Sequence, residues 1–471
     1  MYGEAERHPE PFPQERFGVR TRPAVPLGRR KPAPPARLRT RGRGFPSPDS
    51  VLRPGGSRGV RVPPAVSALS VGLSRYSFSH RTLFCIDRTQ NKRNNINKIK
   101  KAEGAIPLKP EITKIVITGG PCAGKTTAMS WIQNAFTSLG YTVLFVPETA
   151  TEFIGGGVAP WTCGSNRDYQ LVQVSLQITK EKLFEQAART MPAEKILIVC
   201  DRGVLDNKAY MTAEDFAYVT GELKVNEVEL RDGYDAVFHL VTAAKGAEEF
   251  YTTANNQARI ETVQQACELD DKLLASWTGH PHLRVIDNAT DFEVKMRRLI
   301  GEISACLGLP GLMDTRKRYL IEYPDIARLE GMSSCRKVEI IQTYLHSGEN
   351  SERRVGQRGV DGHYIYYETL LMGGGPKTIE VERRLTQNQY LTLLMEADTS
   401  LRQIRKTRYC MTWKNQVFEI DVYPFWQDRA IAEIETSDKE TRIDFPDAIH
   451  VIRDVTEEKE YKNAALAGKK L

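Results

Sequence analysis

The sequence predicts an α/β domain with a parallel sheet, then a mostly antiparallel β-barrel domain, both behind a disordered N-terminal tail. Three observations predict it. Short apolar runs alternate with helical periods between residues 109 and 311. From residue 312 the period switches to two, in a series of strand-like segments up to about residue 468. Residues 1–108 show neither period and collect 13 of the 25 prolines by Pro64.

Charge follows the same division. Residues 1–110 carry 23 Lys/Arg against 7 Asp/Glu, and the remainder 43 against 52. The folded part is acidic, and the net charge of +7 belongs to the tail. Whole-chain charge therefore gives no reason to expect a specific nucleic-acid partner. A transit peptide fits the Arg and Ser content of the tail, but Glu4, Glu6, Glu10 and Glu15 argue against it. The plainer reading is a solvated tail able to touch an anionic membrane surface. No stretch approaches the ~20 apolar residues of a membrane helix. The 8 cysteines form no C-x-x-C pair and no zinc spacing, which points to a reducing, cytoplasmic compartment.

Ile115-Val116-Ile117 is a short buried strand closed by Gly119-Gly120. Ala128, Trp131, Ile132, Ala135, Phe136 and Leu139 then recur at helical spacing up to Gly140. Thr142–Val146, Lys195–Cys200, Tyr234–Leu240 and Arg284–Asp287 read as further strands, with a long helix over 168–190. Later strands are expected at Arg318–Glu322, Val338–Tyr344, Tyr364–Leu371, Thr378–Leu385, Arg405–Trp413, Val417–Tyr423 and Ala430–Glu435, with a helix at Thr386–Ala397.

Between the first strand and helix, Gly119-Gly120-Pro121-Cys122-Ala123-Gly124-Lys125-Thr126 fits G-x-x-x-x-G-K-[ST], with Thr127 next. Glycines let backbone N–H groups close around phosphate oxygens, and the helix N-terminus adds positive potential. Lys125 reaches the outer phosphates of ATP or GTP, and the Thr126 hydroxyl can ligate Mg²⁺. Asp201 ends the apolar run Ile196–Cys200, where a second Mg²⁺-holding oxygen is needed, and Arg202 follows it. Glu148 ends the second strand; it is either a general base acting on a substrate hydroxyl or a structural charge at the sheet edge. Arg259 lies where small P-loop kinases carry a lid, and either neutralises phosphate or belongs to a plain surface helix. Asn288 follows the fifth strand, where such folds contact the nucleobase; no N-K-x-D element specifies guanine.

In the β part, charges sit at even spacings: Arg354 and Arg358, Glu380 with Glu382 and Arg384, Lys406 with Arg408, Glu419 with Asp421, Glu433 with Glu435. Even spacing puts each set on one face of its strand. Either these faces are solvated outside an ordinary sandwich, or they line a charged, water-filled barrel. In the barrel, Arg354, Arg358, Lys377, Arg384, Lys406 and Arg408 would bind phosphates, and Glu433 and Glu435 a divalent cation.

Residues 112–309, with the glycine-rich loop, Pro147-Glu148-Thr149, Cys200-Asp201-Arg202-Gly203 and Asp287-Asn288, resemble an AAA-type ATPase or NadR-like nucleoside-kinase domain. Residues 112–467 are similar to the TRPL-translocation-defect family, in which that domain is fused to a CYTH-like triphosphate-tunnel domain. Tyr319-Leu320-Ile321, Gln342–Leu345, Arg353-Arg354-Val355, Glu380–Arg383, Lys406–Tyr409, Glu419–Val422, Glu433-Ile434-Glu435 and Tyr461-Lys462-Asn463 follow the tunnel pattern in order. One departure stands at its opening E-x-E-x-K, which falls on Asp314-Thr315-Arg316-Lys317-Arg318 and has Arg316 for the second acid. The resemblance implies GTP binding, phosphoinositide binding and a part in trafficking of membrane proteins. A nucleoside or ribosylnicotinamide-type kinase and a barrel triphosphatase are the enzymatic alternatives.

Overall fold

The computed structural model describes residues 110–250, 262–309, 316–348, 351–372, 379–436 and 442–468. They fall in one compact unit, Arg88–Leu471. The tail, Arg259 and Lys377 lie outside the described residues, as does Asp314.

The first half is a parallel sheet between helices. Its strands are β1 (Glu111–Thr118), β2 (Thr142–Val146), β3 (Lys195–Asp201), β4 (Ala236–Leu240) and β5 (Leu283–Ile286), in the order β2-β3-β1-β4-β5. The main helices are α1 (Lys125–Ser138), α2 (Thr149–Gly155), α3 (Asn166–Ala188), α4 (Ala213–Leu223), α5 (Glu227–Arg231), α6 (Val263–Trp277) and α7 (Phe292–Cys306). Ile115, Val116 and Ile117 are fully buried because helices cover both faces of the sheet. Ile115 and Ile117 join the core beneath α1 and α7, and Val116 the opposite one around Trp277. The central strand β1 therefore delivers its C-terminal turn to the crevice where ligands of such sheets bind.

The second half is antiparallel. It comprises β6 (Arg316–Glu322), α8 (Ile326–Glu330), β7 (Cys335–Leu345), β8 (Ser351–Val360), β9 (His363–Met372), β10 (Ile379–Leu385), α9 (Gln387–Leu393), β11 (Ile404–Trp413), β12 (Gln416–Val422), β13 (Arg429–Glu435), β14 (Val451–Asp454) and α10 (Asn463–Gly468). The strands form a single 9-stranded sheet in the order β10-β9-β8-β7-β11-β12-β13-β6-β14. The expected closed barrel is corrected here: among the described residues β10 and β14 are edges and do not pair with each other. The terminal β14 has only 4 residues and a register shift against β6, so it carries the ladder no further. The charged face instead meets the parallel half, through Arg284 with Glu435 at 2.6 Å and Arg358 with Asp232 at 3.6 Å. Among the described residues, no helix is long and apolar enough to cross a membrane.

Candidate functional site

The glycine-rich loop turns sharply because three of its residues leave the ordinary backbone region. Gly119 has φ 137°, and a Cβ there would stand 2.0 Å from the Leu240 carbonyl oxygen. Cys122 has φ 56° and Gly124 φ 90°, with the Phe292 ring 2.7 Å from where a Gly124 Cβ would lie. The helix α1 begins at Lys125, with Thr126 and Thr127 exposed in its first turn. Lys125 Nζ donates to Gly119 O at 2.8 Å and Gly120 O at 3.1 Å, so the cation is folded back over the loop. Burial and the neighbouring Arg202 guanidinium push the Lys125 ammonium down to about 8.

Four side chains converge on that lysine from β2, β3 and the turn after β3. Asp201 ends β3, directly beside Ile117 of β1 in the register. Its Oδ1 is buried without a hydrogen-bond partner among the described residues, and burial raises its carboxyl. Arg202, at φ 68°, donates from Nε to Glu148 Oε1 at 2.5 Å, and its NH1 lies 3.9 Å from Asp206 Oδ2. Glu148 also accepts from the Thr151 hydroxyl at 2.6 Å. Burial alone would raise the Glu148 carboxyl, but Arg202 and Thr151 hold it below its ordinary value. Glu148 is thus held as a carboxylate tied to Arg202 and Thr151.

Mg²⁺ fits this site by donor chemistry. Thr126 and the orphaned Asp201 oxygen would supply hard oxygen ligands of the kind the ion takes. An ion held there would neutralise charge on bound phosphates.

Asn288 is placed differently from expectation. Its Nδ2 donates to Thr242 O and Lys245 O, both at 2.8 Å, and its Oδ1 accepts from Lys295 Nζ at 2.6 Å. The amide ties the β5 exit to the loop after β4. Lys295 also bonds Ala123 O at 3.3 Å and Val241 O at 2.8 Å, bracing the phosphate loop from behind.

Two buried carboxylates escaped the sequence reading. Asp206 Oδ1 accepts from the Thr118 hydroxyl and the Trp277 indole, each at 2.7 Å, leaving Oδ2 toward Arg202. Asp270 accepts the Gly120 N–H at 2.8 Å. Only the i,i+4 spacing of Arg202 and Asp206 left a trace in the sequence; Asp270 left none.

The antiparallel sheet presents its charges as alternating partners rather than cationic rows, which corrects the expected lining. Arg354 pairs with Glu352 at 2.9 Å and Glu380 at 2.8 Å, and Arg358 with Glu382 at 2.7 Å. Lys406 pairs with Asp421 at 2.5 Å. Arg408 reaches Asp421 at 2.7 Å, Glu433 at 3.3 Å and also Glu419. Arg384 donates to the Asp232 carbonyl at 3.3 Å. Antiparallel pairing of β6 with β13 sets Arg318 against Glu433 and Arg316 against Glu435. Glu433 thus meets Arg318 at 2.6 Å, while Glu435 meets Arg284 at 2.6 Å and Arg316 at 4.0 Å. The Glu433 and Glu435 oxygens, expected to hold a divalent cation, thus face guanidinium groups here. Among the described residues no group of three or more His, Cys, Asp or Glu could hold a metal ion.

One row of this face brings further polar groups beside Arg354. Tyr344 opposes Arg354, and Arg354 opposes Thr369, across β7, β8 and β9. Tyr344 and Arg354 interact through their side chains, Arg358 Nε four residues along β8 lies 3.6 Å from Asp232 Oδ2, and the buried Thr369 hydroxyl has no hydrogen-bond partner among the described residues.

Residues 114–295 match the model of an AAA domain family. Among solved structures, the inorganic triphosphatase NE1496 is similar at 25% identity, over 34% of this chain and 97% of that one, with a TM-score of 0.25. Thymidylate kinase from Ehrlichia chaffeensis is similar at 13% identity, over 41% of this chain and 100% of that one, with a TM-score of 0.29. The PH1012 protein from Pyrococcus horikoshii OT3 is similar at 17% identity, over 26% and 81% of the two chains, with a TM-score of 0.21. No curated protein matches the chain.

Proposed function

We propose that the chain is a nucleotide-binding P-loop protein, with GTP as the favoured ligand and Mg²⁺ at Thr126 and Asp201, whose antiparallel sheet holds a phosphate-bearing ligand. Lys125 carries the first half of this reading. It closes a loop of glycines at a helix N-terminus, and its lowered basicity makes a phosphate its natural partner. The row of donor-bearing residues Tyr344, Arg354 and Thr369 across three neighbouring strands supports the second half. A phosphoinositide headgroup at a membrane surface is the favoured ligand there, in keeping with the resemblance to a trafficking family. Titration of the full chain with fluorescent GTP and ATP, with and without inositol phosphates, tests both halves. Absence of nucleotide binding would overturn the first, and indifference to every phosphorylated inositol the second.

A second reading is phosphoryl transfer to a small hydroxyl-bearing acceptor. Arg202 favours it, because its buried NH1 has no hydrogen-bond partner among the described residues and stands beside Lys125. Coupled product assays with nucleosides would show turnover under that reading alone.

A further inference from the structure

Asp270 sits at the hinge between the phosphate loop, β4 and α6. It is fully buried in the middle of α6. Its Oδ1 accepts the Gly120 N–H at 2.8 Å and the Thr242 N–H at 3.2 Å, and the His239 ring nitrogen Nε2 lies 3.1 Å from the same oxygen. Its Oδ2 accepts from Lys245 Nζ at 2.9 Å. Thr242, fixed by this contact, passes the constraint on, since its hydroxyl donates to the Pro121 carbonyl. Gly120 is matched to the arrangement, because a Cβ there would stand 2.8 Å from Asp270 Oδ1.

A buried carboxylate beside a phosphate site is costly in two ways. It must be desolvated, and it adds negative charge where a polyanion is to bind. Here Lys245 offsets the charge, and two backbone amides use Oδ1. We infer that Asp270 is a positioning residue for nucleotide binding, holding the Gly120 peptide so that the rest of the loop faces the phosphates. This rests on the nucleotide-binding reading of the loop.

The physical argument is one of populations. Without Asp270 the Gly120 and Thr242 amides lose their acceptor in a buried place. The loop then relaxes toward conformers in which the Gly120 amide finds another partner. Apparent affinity falls by the fraction of molecules left in the competent shape, so a competent fraction of about a tenth weakens binding about tenfold. The carboxylate and a carboxamide differ in charge but share the acceptor oxygen, which separates positioning from charge.

The test uses the full chain with mant-GTP and mant-ATP as probes, Lys125→Ala as the control for site occupancy, and unfolding midpoints as the control for folding. Asp270→Asn is expected to stay within about threefold of the parent affinity, and Asp270→Ala to lose about tenfold or more. Lys245→Gln leaves the acceptor in place and keeps the test decisive if Asp270→Ala does not fold. It is expected to weaken nucleotide binding several-fold, by leaving the carboxylate uncompensated beside the phosphates, and Lys245→Gln combined with Asp270→Asn to recover it. Equal affinity of Asp270→Ala and parent, an Asp270→Asn as weak as Asp270→Ala, or no recovery in the double variant would overturn the inference. If the parent itself binds neither probe, it is the nucleotide reading that fails, and the positioning role falls with it.

Discussion

Lys125 stands among Arg202, Glu148, Asp201 and Asp206, and burial with Arg202 pushes its ammonium down to about 8 against an ordinary 10.5. The sign of two pH effects follows. Between pH 8 and 10.5 the native lysine has released a proton that the unfolded chain still holds, so stability rises with pH across that window. The slope should vanish in Lys125→Met, read as unfolding midpoint against pH. Phosphates restore the charged form, so nucleotide binding takes up a proton and affinity declines above pH 8, by at most about tenfold per unit. Lys125→Ala removes the cation altogether and is expected to weaken GTP and ATP about a hundredfold or more, with the antiparallel sheet intact by circular dichroism. Unchanged affinity would dismiss the loop as the nucleotide site. The lysine was legible in sequence because its chemistry demands a local pattern. Asp206 and Asp270 were not, since their partners Thr118 and Gly120 lie 88 and 150 residues away along the chain.

Elements were legible where packing gives them a period. The run Ile115–Ile117 and the spacing Ala128, Ile132, Phe136 mark β1 and α1 because both bury apolar faces in one core. The bounds of β8 escaped, although Arg354 and Arg358 were read on one strand face, because Ser-Glu-Arg-Arg-Val-Gly-Gln-Arg-Gly-Val has little apolar alternation and two glycines. Structure explains both, since a Cβ at Gly359 would stand 1.9 Å from the His363 carbonyl oxygen. A Cβ at Gly356 would come within 2.5 Å of the Tyr367 ring, so the strand gives up a side chain to let the tyrosine cross it. Gly356→Val is therefore expected to destabilise the fold by about 1–3 kcal/mol through overpacking. A denaturant midpoint unchanged from the parent would contradict that packing. The loop between β1 and α1 is less tolerant still. Gly119→Ala combines a φ of 137° with a Cβ 2.0 Å from a backbone carbonyl, so no side-chain rotation relieves it. Nucleotide binding should be lost in this variant even where the sheet survives, as read by mant-GTP titration beside circular dichroism.

At the scale of the molecule, the even spacing of charges correctly put them on one face, but spacing does not say whether cations stand alone or paired. Pairing is set by strand order. Because β11, β12 and β13 are neighbours, Arg408, Asp421 and Glu433 come together, and β6 beside β13 adds Arg318. Burial would raise the Glu433 carboxyl, but Arg318 and Arg408 hold it far below its ordinary range, so it stays an anion committed to arginine. Burial also works against Glu435, and there Arg284 of the parallel half supplies the main counter-charge. A metal ion sharing these oxygens would have to displace guanidinium groups already hydrogen-bonded to them, and Arg316 adds repulsion at the position where the resembling family keeps an acid. Hydrolysis of a triphosphate needs such a metal to shield charge or activate water, whereas retention of a phosphate needs only donors. The sheet is thus expected to bind without turnover. In the full chain carrying Lys125→Ala, which removes the other phosphate site, tripolyphosphate should bind yet release negligible phosphate with Mg²⁺ or Mn²⁺. Arg354→Glu should weaken that binding at least about tenfold, since it converts a buried donor into an anion facing Glu380. Robust metal-dependent release of phosphate would mean that the arginines yield their carboxylates to the ion, and would make the sheet a catalyst rather than a holder.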